Sequence, residues 1–98
     1  MKTFYVSLLS CLLLYSTNLF AQQKITGTVK DGQGETLIGV SIQEKGKTNG
    51  AQTDIDGHYS LTVSGPDAVL VFTYVGFIKQ EVAVGNRQAV DVILKNDA

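Results

Sequence analysis

The sequence predicts an all-β fold for residues 22–98, a seven-stranded antiparallel β-sandwich. Three observations predict it. No segment of that region keeps a helical hydrophobic period over three turns, and apolar residues instead alternate with polar ones at period two. Turn-forming residues recur roughly every 8–12 positions, the spacing left by short sandwich strands. The apolar run Val69-Leu70-Val71-Phe72-Thr73-Tyr74-Val75 is bounded by Ser64-Gly65-Pro66-Asp67 and by Gly76, as a central strand would be.

Each element follows from that pattern. Residues 24–30 place Ile25, Gly27 and Val29 on one face and Thr26 and Thr28 on the other. Asp31-Gly32-Gln33-Gly34 is a turn, because both glycines are free to adopt positive φ. Residues 40–45 form the second strand, with Val40 and Ile42 inward, and 46–49 form a loop. Residues 50–53 form a short strand, and Asp54-Ile55-Asp56-Gly57 turns the chain. Residues 58–63 return with Tyr59, Leu61 and Val63 inward and His58 toward solvent. Residues 69–75, apolar on both faces, predict a strand covered from both sides, with Gly76 as a bend or bulge. In 78–84, Val82 and Val84 face inward while Lys79 and Glu81 face water. Residues 89–95 place Val90, Val92 and Leu94 inward.

The first 21 residues read as a secretory signal peptide: Met1-Lys2 is basic, residues 6–15 are mostly apolar, and Leu19-Phe20-Ala21 ends on a small residue. The apolar stretch is shorter than the roughly 20 residues a membrane span needs. Leu8-Leu9-Ser10-Cys11 has a superficial likeness to a lipoprotein processing site, but a cut there would halve the apolar stretch. Cys11 is the only cysteine, so the exported domain, residues 22–98, cannot form an internal disulfide. A domain this small has a core worth only about 3–5 kcal/mol. Eight Lys and Arg against nine Asp and Glu, without a run of either sign, exclude the basic stripe that nucleic-acid binding requires.

The candidate chemistry reduces to turns and core. Asp54-x-Asp56-Gly57 has part of a calcium-loop pattern, with Gln52 in the position before it, but Val63 stands where a bidentate Glu would close the site. Asp54, Asp56 and Gly57 are therefore assigned to a structural turn, and no metal or other cofactor is expected. Gly46-Lys47-Thr48 lacks both the preceding glycine of a phosphate loop (Ser41 stands there) and a following helix. His58 is the only histidine and has no ligand or nucleophile constellation around it. Glu35 with Asp54 and Asp56 would need a cleft holding two carboxylates about 5–9 Å apart, and so small a sandwich leaves little room for one. Tyr59, Phe72, Tyr74 and Phe77 alternate as core residues do; Phe77, after Gly76, is the most exposed of them and a candidate contact residue. No catalytic residue is expected.

One stretch of ordered motifs carries a family likeness. It runs from Ile25-Thr26-Gly27-Thr28-Val29 and Asp31, through residues 34–42, Lys45-Gly46 and Asn49-Gly50, to Thr53-Asp54-Ile55-Asp56-Gly57-His58-Tyr59-Ser60-Leu61 and Phe72-Thr73-Tyr74-Val75-Gly76-Phe77. It resembles the carboxypeptidase-regulatory-like domain, a transthyretin-like (Ig-like, Greek-key) sandwich. More specifically, it resembles the version found at the N-terminus of SusC/RagA-type TonB-dependent outer-membrane receptors. Thr36 stands where that family often has proline. The resemblance implies a non-catalytic accessory module in the periplasm, associated with the outer membrane. It implies protein partners, a receptor barrel or the TonB system, with no cofactor. Even an 8-stranded barrel needs about 80 residues in strands of about ten, so transport itself is not expected of these residues. The chain reads as a piece of a receptor or a free-standing relative of the module. A stand-alone carbohydrate-binding sandwich is the alternative.

Overall fold

A computed structural model describes residues 22–97; the expected signal peptide and Cys11 lie outside them. Among the described residues the chain forms seven strands and no helix. These are β1 (Gln23–Lys30), β2 (Ser41–Glu44), β3 (Gly50–Gln52), β4 (His58–Val63), β5 (Val69–Thr73), β6 (Gln80–Ala83) and β7 (Val92–Ile93). They make a three-stranded sheet in the order β4-β1-β7 and a four-stranded sheet in the order β3-β2-β5-β6.

The alternation read from the sequence is the alternation of burial. β4 is strict: Tyr59, Leu61 and Val63 are buried and His58, Ser60 and Thr62 exposed. β1 pairs with it antiparallel, setting Ile25 opposite Leu61 and Gly27 opposite Tyr59. From the other sheet, Ile42, Leu70 and Phe72 complete the core with no exposed surface. Val84, Val90, Val92 and Leu94 seal its side. Truncating a fully buried aromatic such as Phe72 to Ala costs about 3–5 kcal/mol, comparable to the whole stability of a domain this size.

Gly27 is required by a close approach. A Cβ there would lie 1.9 Å from the Val90 carbonyl oxygen and 2.8 Å from the Tyr59 ring and hydroxyl. The Tyr59 ring occupies that space, and its hydroxyl donates to the Val90 carbonyl at 2.6 Å. Burial pushes the Tyr59 phenol pKa up, so the hydroxyl remains a donor.

Three expectations need correction. The sandwich is not antiparallel throughout: β7 runs parallel to β1, with Val29 opposite Val92 and Lys30 opposite Ile93. Alternation encodes which face is inward, not pairing direction; here the chain crosses from β6 in one sheet to β7 in the other and arrives alongside β1 in its own sense. The β5 strand ends at Thr73, Val69 and Val71 are only half-buried, and Val75 is 94% exposed, so the outer face is not covered. Of the two glycines in the first turn, only Gly34 has positive φ.

Pairing directions define two ends. At one, the distal end, lie residues 31–40, 53–57, 74–78 and 94–97, joined by backbone bonds such as Val29 N–H to Gly57 O, Gly39 N–H to Thr53 O and Asp97 N–H to Gly76 O. At the other, the proximal end, lie Gln22, residues 45–49, 64–68 and 84–88.

Candidate functional site

The turn singled out in the sequence sits at the distal end. Asp54 Oδ1 accepts from the N–H groups of Asp56 (2.9 Å) and His58 (3.0 Å), while the Asp54 N–H donates to His58 O and the Gly57 N–H to Asp54 O, both at 2.9 Å. These backbone donors, that of His58 foremost, hold the Asp54 carboxyl below its usual range. Gly57 closes the turn at φ 77°. One carboxylate and one imidazole more, from Asp56 and His58, bring a ligand atom each within 4.8 Å of Asp54 and of one another. All three side chains are exposed, and one Asp54 oxygen is already committed to the backbone. The trio could offer single contacts to a cation. The closing position of a calcium loop is Val63, which is buried in the core.

The other chemical candidates are dispersed. Glu35 belongs to the neighbouring turn, where its N–H donates to Asp31 Oδ1 at 2.9 Å. Lys47 sits in the exposed proximal loop, with its N–H bonded to Glu44 O, and no helix follows. Tyr59 and Phe72 pack edge to face in the core, centroids 5.7 Å apart. An open hollow beside Gly27 is lined by Thr26, Thr28, His58, Tyr59, Ala89 and Asp91. Two of its polar groups are already engaged: the Tyr59 hydroxyl with Val90 O, and Asp91 Oδ1 with the Thr28 N–H at 2.9 Å. No buried side-chain polar atom among the described residues lacks a partner.

One polar residue escaped the sequence reading. Glu44 is 3% exposed, and its carboxylate accepts from Ser64 Oγ (2.5 Å), Ser64 N–H (3.1 Å) and Asn49 Nδ2 (3.0 Å). Burial alone would raise its pKa; the Ser64 and Asn49 hydrogen bonds outweigh it and leave the pKa lowered. The signal was available: the 40, 42, 44 alternation that turns Val40 and Ile42 inward turns Glu44 inward too. The residue is a strut between β2 and the end of β4, not a reactive group.

What the distal end does collect is apolar surface. Val75 (94% exposed), Ile55 (76%), Ile38 and Ile78 all stand in its loops, and Ile93 is on the strand beside the last residue of β1. These five are the exposed large hydrophobic residues among the described ones, and all belong to this end. Phe77 lies among them half-buried, its ring 5.6 Å from that of Tyr74 and its backbone bridged to Asn96. Asp31, Asp54 and Asp56 edge the surface. Sequence reasoning singled out Phe77 and passed over Ile38, Ile55 and Val75. Their signal is an isoleucine or valine within turn chemistry, where no core position exists to hold it (Asp54-Ile55-Asp56, Ile38-Gly39, Val75-Gly76).

The family model of the CarboxypepD_reg-like domain matches residues 25–98. The chain belongs to this family. Among curated proteins it is 41% identical over 88 residues to TonB-dependent receptor P39 of Formosa agariphila, covering 86% of this chain and 8% of that receptor. It is 38% identical over 86 residues to TonB-dependent receptor SusC of Bacteroides thetaiotaomicron, covering 87% of this chain and 8% of SusC. The chain thus spans less than a tenth of the length of these relatives. Among solved structures it is similar to chains in two interface-mutant type II cohesin–X-dockerin complexes from Acetivibrio cellulolyticus. One is 16% identical with TM-score 0.57, covering 72% of this chain and 52% of the other; the second is 20% identical with TM-score 0.57, covering 74% and 51%. That likeness is one of fold. No helix among the described residues is long and apolar enough to cross a membrane.

Proposed function

We propose that this chain is a non-catalytic accessory module of a SusC-like TonB-dependent receptor, exported to the periplasm and associated with the outer membrane, whose work is protein–protein contact. The observation that carries this reading is the alignment with receptors over 86–87% of the chain. Outside the exposed Asp54–Asp56–His58 turn its ionisable side chains are dispersed, and that turn lies on the surface with one Asp54 oxygen taken by backbone donors. This supports the reading, since catalysis needs a base, a nucleophile or a metal brought to one enclosed point. The contact face is the distal end, where Ile38, Ile55, Val75 and Ile78 stand in water. Apolar side chains gathered at one end of a small domain are what a partner's surface would cover. The partner is a receptor barrel or a component of the TonB system.

Site-specific photo-crosslinking in the native host tests this. A photoreactive residue at Val75 should give adducts with a TonB-dependent receptor or TonB-system protein in the outer-membrane fraction, and one at Asp67, on the opposite end, should not. Recovery of the chain in the cytosol, or saturable glycan binding lost on Phe77→Ala, would overturn the proposal.

A further inference from the structure

The parallel pairing of the first and last strands has a mechanical consequence. β1 enters at the proximal end and runs to the distal end; the segment 88–94 runs beside it in the same direction. The register is continuous, from Thr26 opposite Ala89 to Val29 opposite Val92 and Lys30 opposite Ile93. Backbone bonds join Thr26 N–H to Gln88 O (3.0 Å), Val90 N–H to Thr26 O (2.8 Å) and Leu94 N–H to Lys30 O (2.8 Å). Midway, where Gly27 leaves a gap, side chains stitch the seam: Asp91 Oδ1 takes the Thr28 N–H, and the Tyr59 hydroxyl holds Val90 O. At its start Gln23 Nε2 donates to Arg87 O at 2.7 Å.

We propose that this seam is a tension-bearing clamp between the two ends of the domain. Pulling Gln22 and Asp97 apart draws β1 from its proximal end and the β7 segment from its distal end. The strands are then sheared along their length, and all the bonds across the seam resist together instead of opening singly from one end. Forced unfolding is governed by the unfolding barrier, so the direction of pull decides the force even at one equilibrium stability. A module so built resists tension applied between its two ends. This rests on geometry alone and holds whether or not the receptor reading is correct.

Single-molecule force spectroscopy tests it on the whole chain. One arrangement pulls through tags at the N- and C-termini. The other pulls between the C-terminus and a Gln33→Cys anchor in a Cys11→Ser background; Gln33 is exposed in the turn after β1, so both strands are then drawn from the distal end and peel. The unfolding force in the first arrangement should be several-fold higher. Asp91→Ala should lower that force and leave the peeling force unchanged, which separates loss of the seam from general loss of folding. Equal forces in the two arrangements, or an Asp91→Ala effect that is the same in both, would overturn the clamp.

Discussion

Two turns at the distal end are built alike and differ in what surrounds them. In residues 31–35, Asp31 Oδ1 accepts from the N–H groups of Gln33 and Glu35, both at 2.9 Å, the Asp31 N–H donates to Glu35 O, and Gly34 has φ 87°. In residues 54–58, Asp54 makes the same set of bonds to Asp56 and His58, and Gly57 has φ 77°. The local chemistry is one: an Asp side chain mimics a backbone acceptor, and a glycine three residues on takes the left-handed conformation. The surroundings are not. A Cβ on Gly34 would meet nothing within 4 Å, whereas one on Gly57 would lie 2.8 Å from Thr36 Cβ and 3.0 Å from Val29 O. The first turn is a surface cap; the second is wedged against β1 and Thr36 and is bonded to β1 through the Val29 N–H, which donates to Gly57 O.

The two turns differ most in what their glycines tolerate. Gly57→Ala combines the left-handed penalty with overlap and should cost about 2–5 kcal/mol, whereas Gly34→Ala should cost only about 1–2 kcal/mol. With roughly 4–8 °C of melting temperature per kcal/mol in a domain of this size, calorimetry separates them readily. Equal losses would mean that the wall around Gly57 yields.

Acid titration comes next. The carboxyl pKa values of Glu44 and Asp54 are lowered in the folded state, so their contributions are complete above the ordinary values of 4.5 and 3.8 and drain away as pH falls through the lower folded-state values. The melting temperature should be flat near neutrality and fall in acid below those values. Glu81, its carboxyl lowered by the hydrogen-bonded ion pair with Lys45, adds a third contribution of the same sign. Glu44→Gln removes one of the three and should make the acid fall shallower. Glu44→Ala at neutral pH orphans the Ser64 and Asn49 donors and should cost about 1.5–3 kcal/mol.

Asp54→Ala should destabilise more than Asp54→Asn, whose amide oxygen still accepts the His58 and Asp56 N–H groups; denaturant midpoints of the two variants check this. The smallest effect concerns cations. A metal chelator should leave the melting curve unchanged, because the Asp54 carboxylate is satisfied by backbone donors; a drop on chelation, absent in Asp56→Ala, would make Asp54, Asp56 and His58 a genuine cation site.

Much of this fold was legible in advance because it is locally encoded. Period-two alternation determines which side chains face inward: of the residues so assigned, Ile25, Val29, Val40, Ile42, Tyr59, Leu61, Val63, Val84, Val90, Val92 and Leu94 are buried, and Val82, on the edge strand, is half-buried. Turn chemistry determines where the chain reverses, since Asp and Gly act within a few residues of themselves. The proposed contact face was legible only in fragments, because Ile38, Ile55 and Val75 are far apart in sequence and come to one end only when their loops are folded there.

The amino-acid order by itself thus determined the strands' inward faces, the Asp-Gly turns and the family to which the chain belongs. Tertiary structure alone decided that β7 lies parallel to β1, that residues 89–95 keep only Val92–Ile93 as regular strand, and that Glu44 is held by Ser64 across the sandwich. It also decided which of two equivalent glycines has no room for a methyl group. The physical reason is range: side-chain period and turn propensity act over a few residues, whereas strand direction, partner choice and steric walls come from segments tens of residues away.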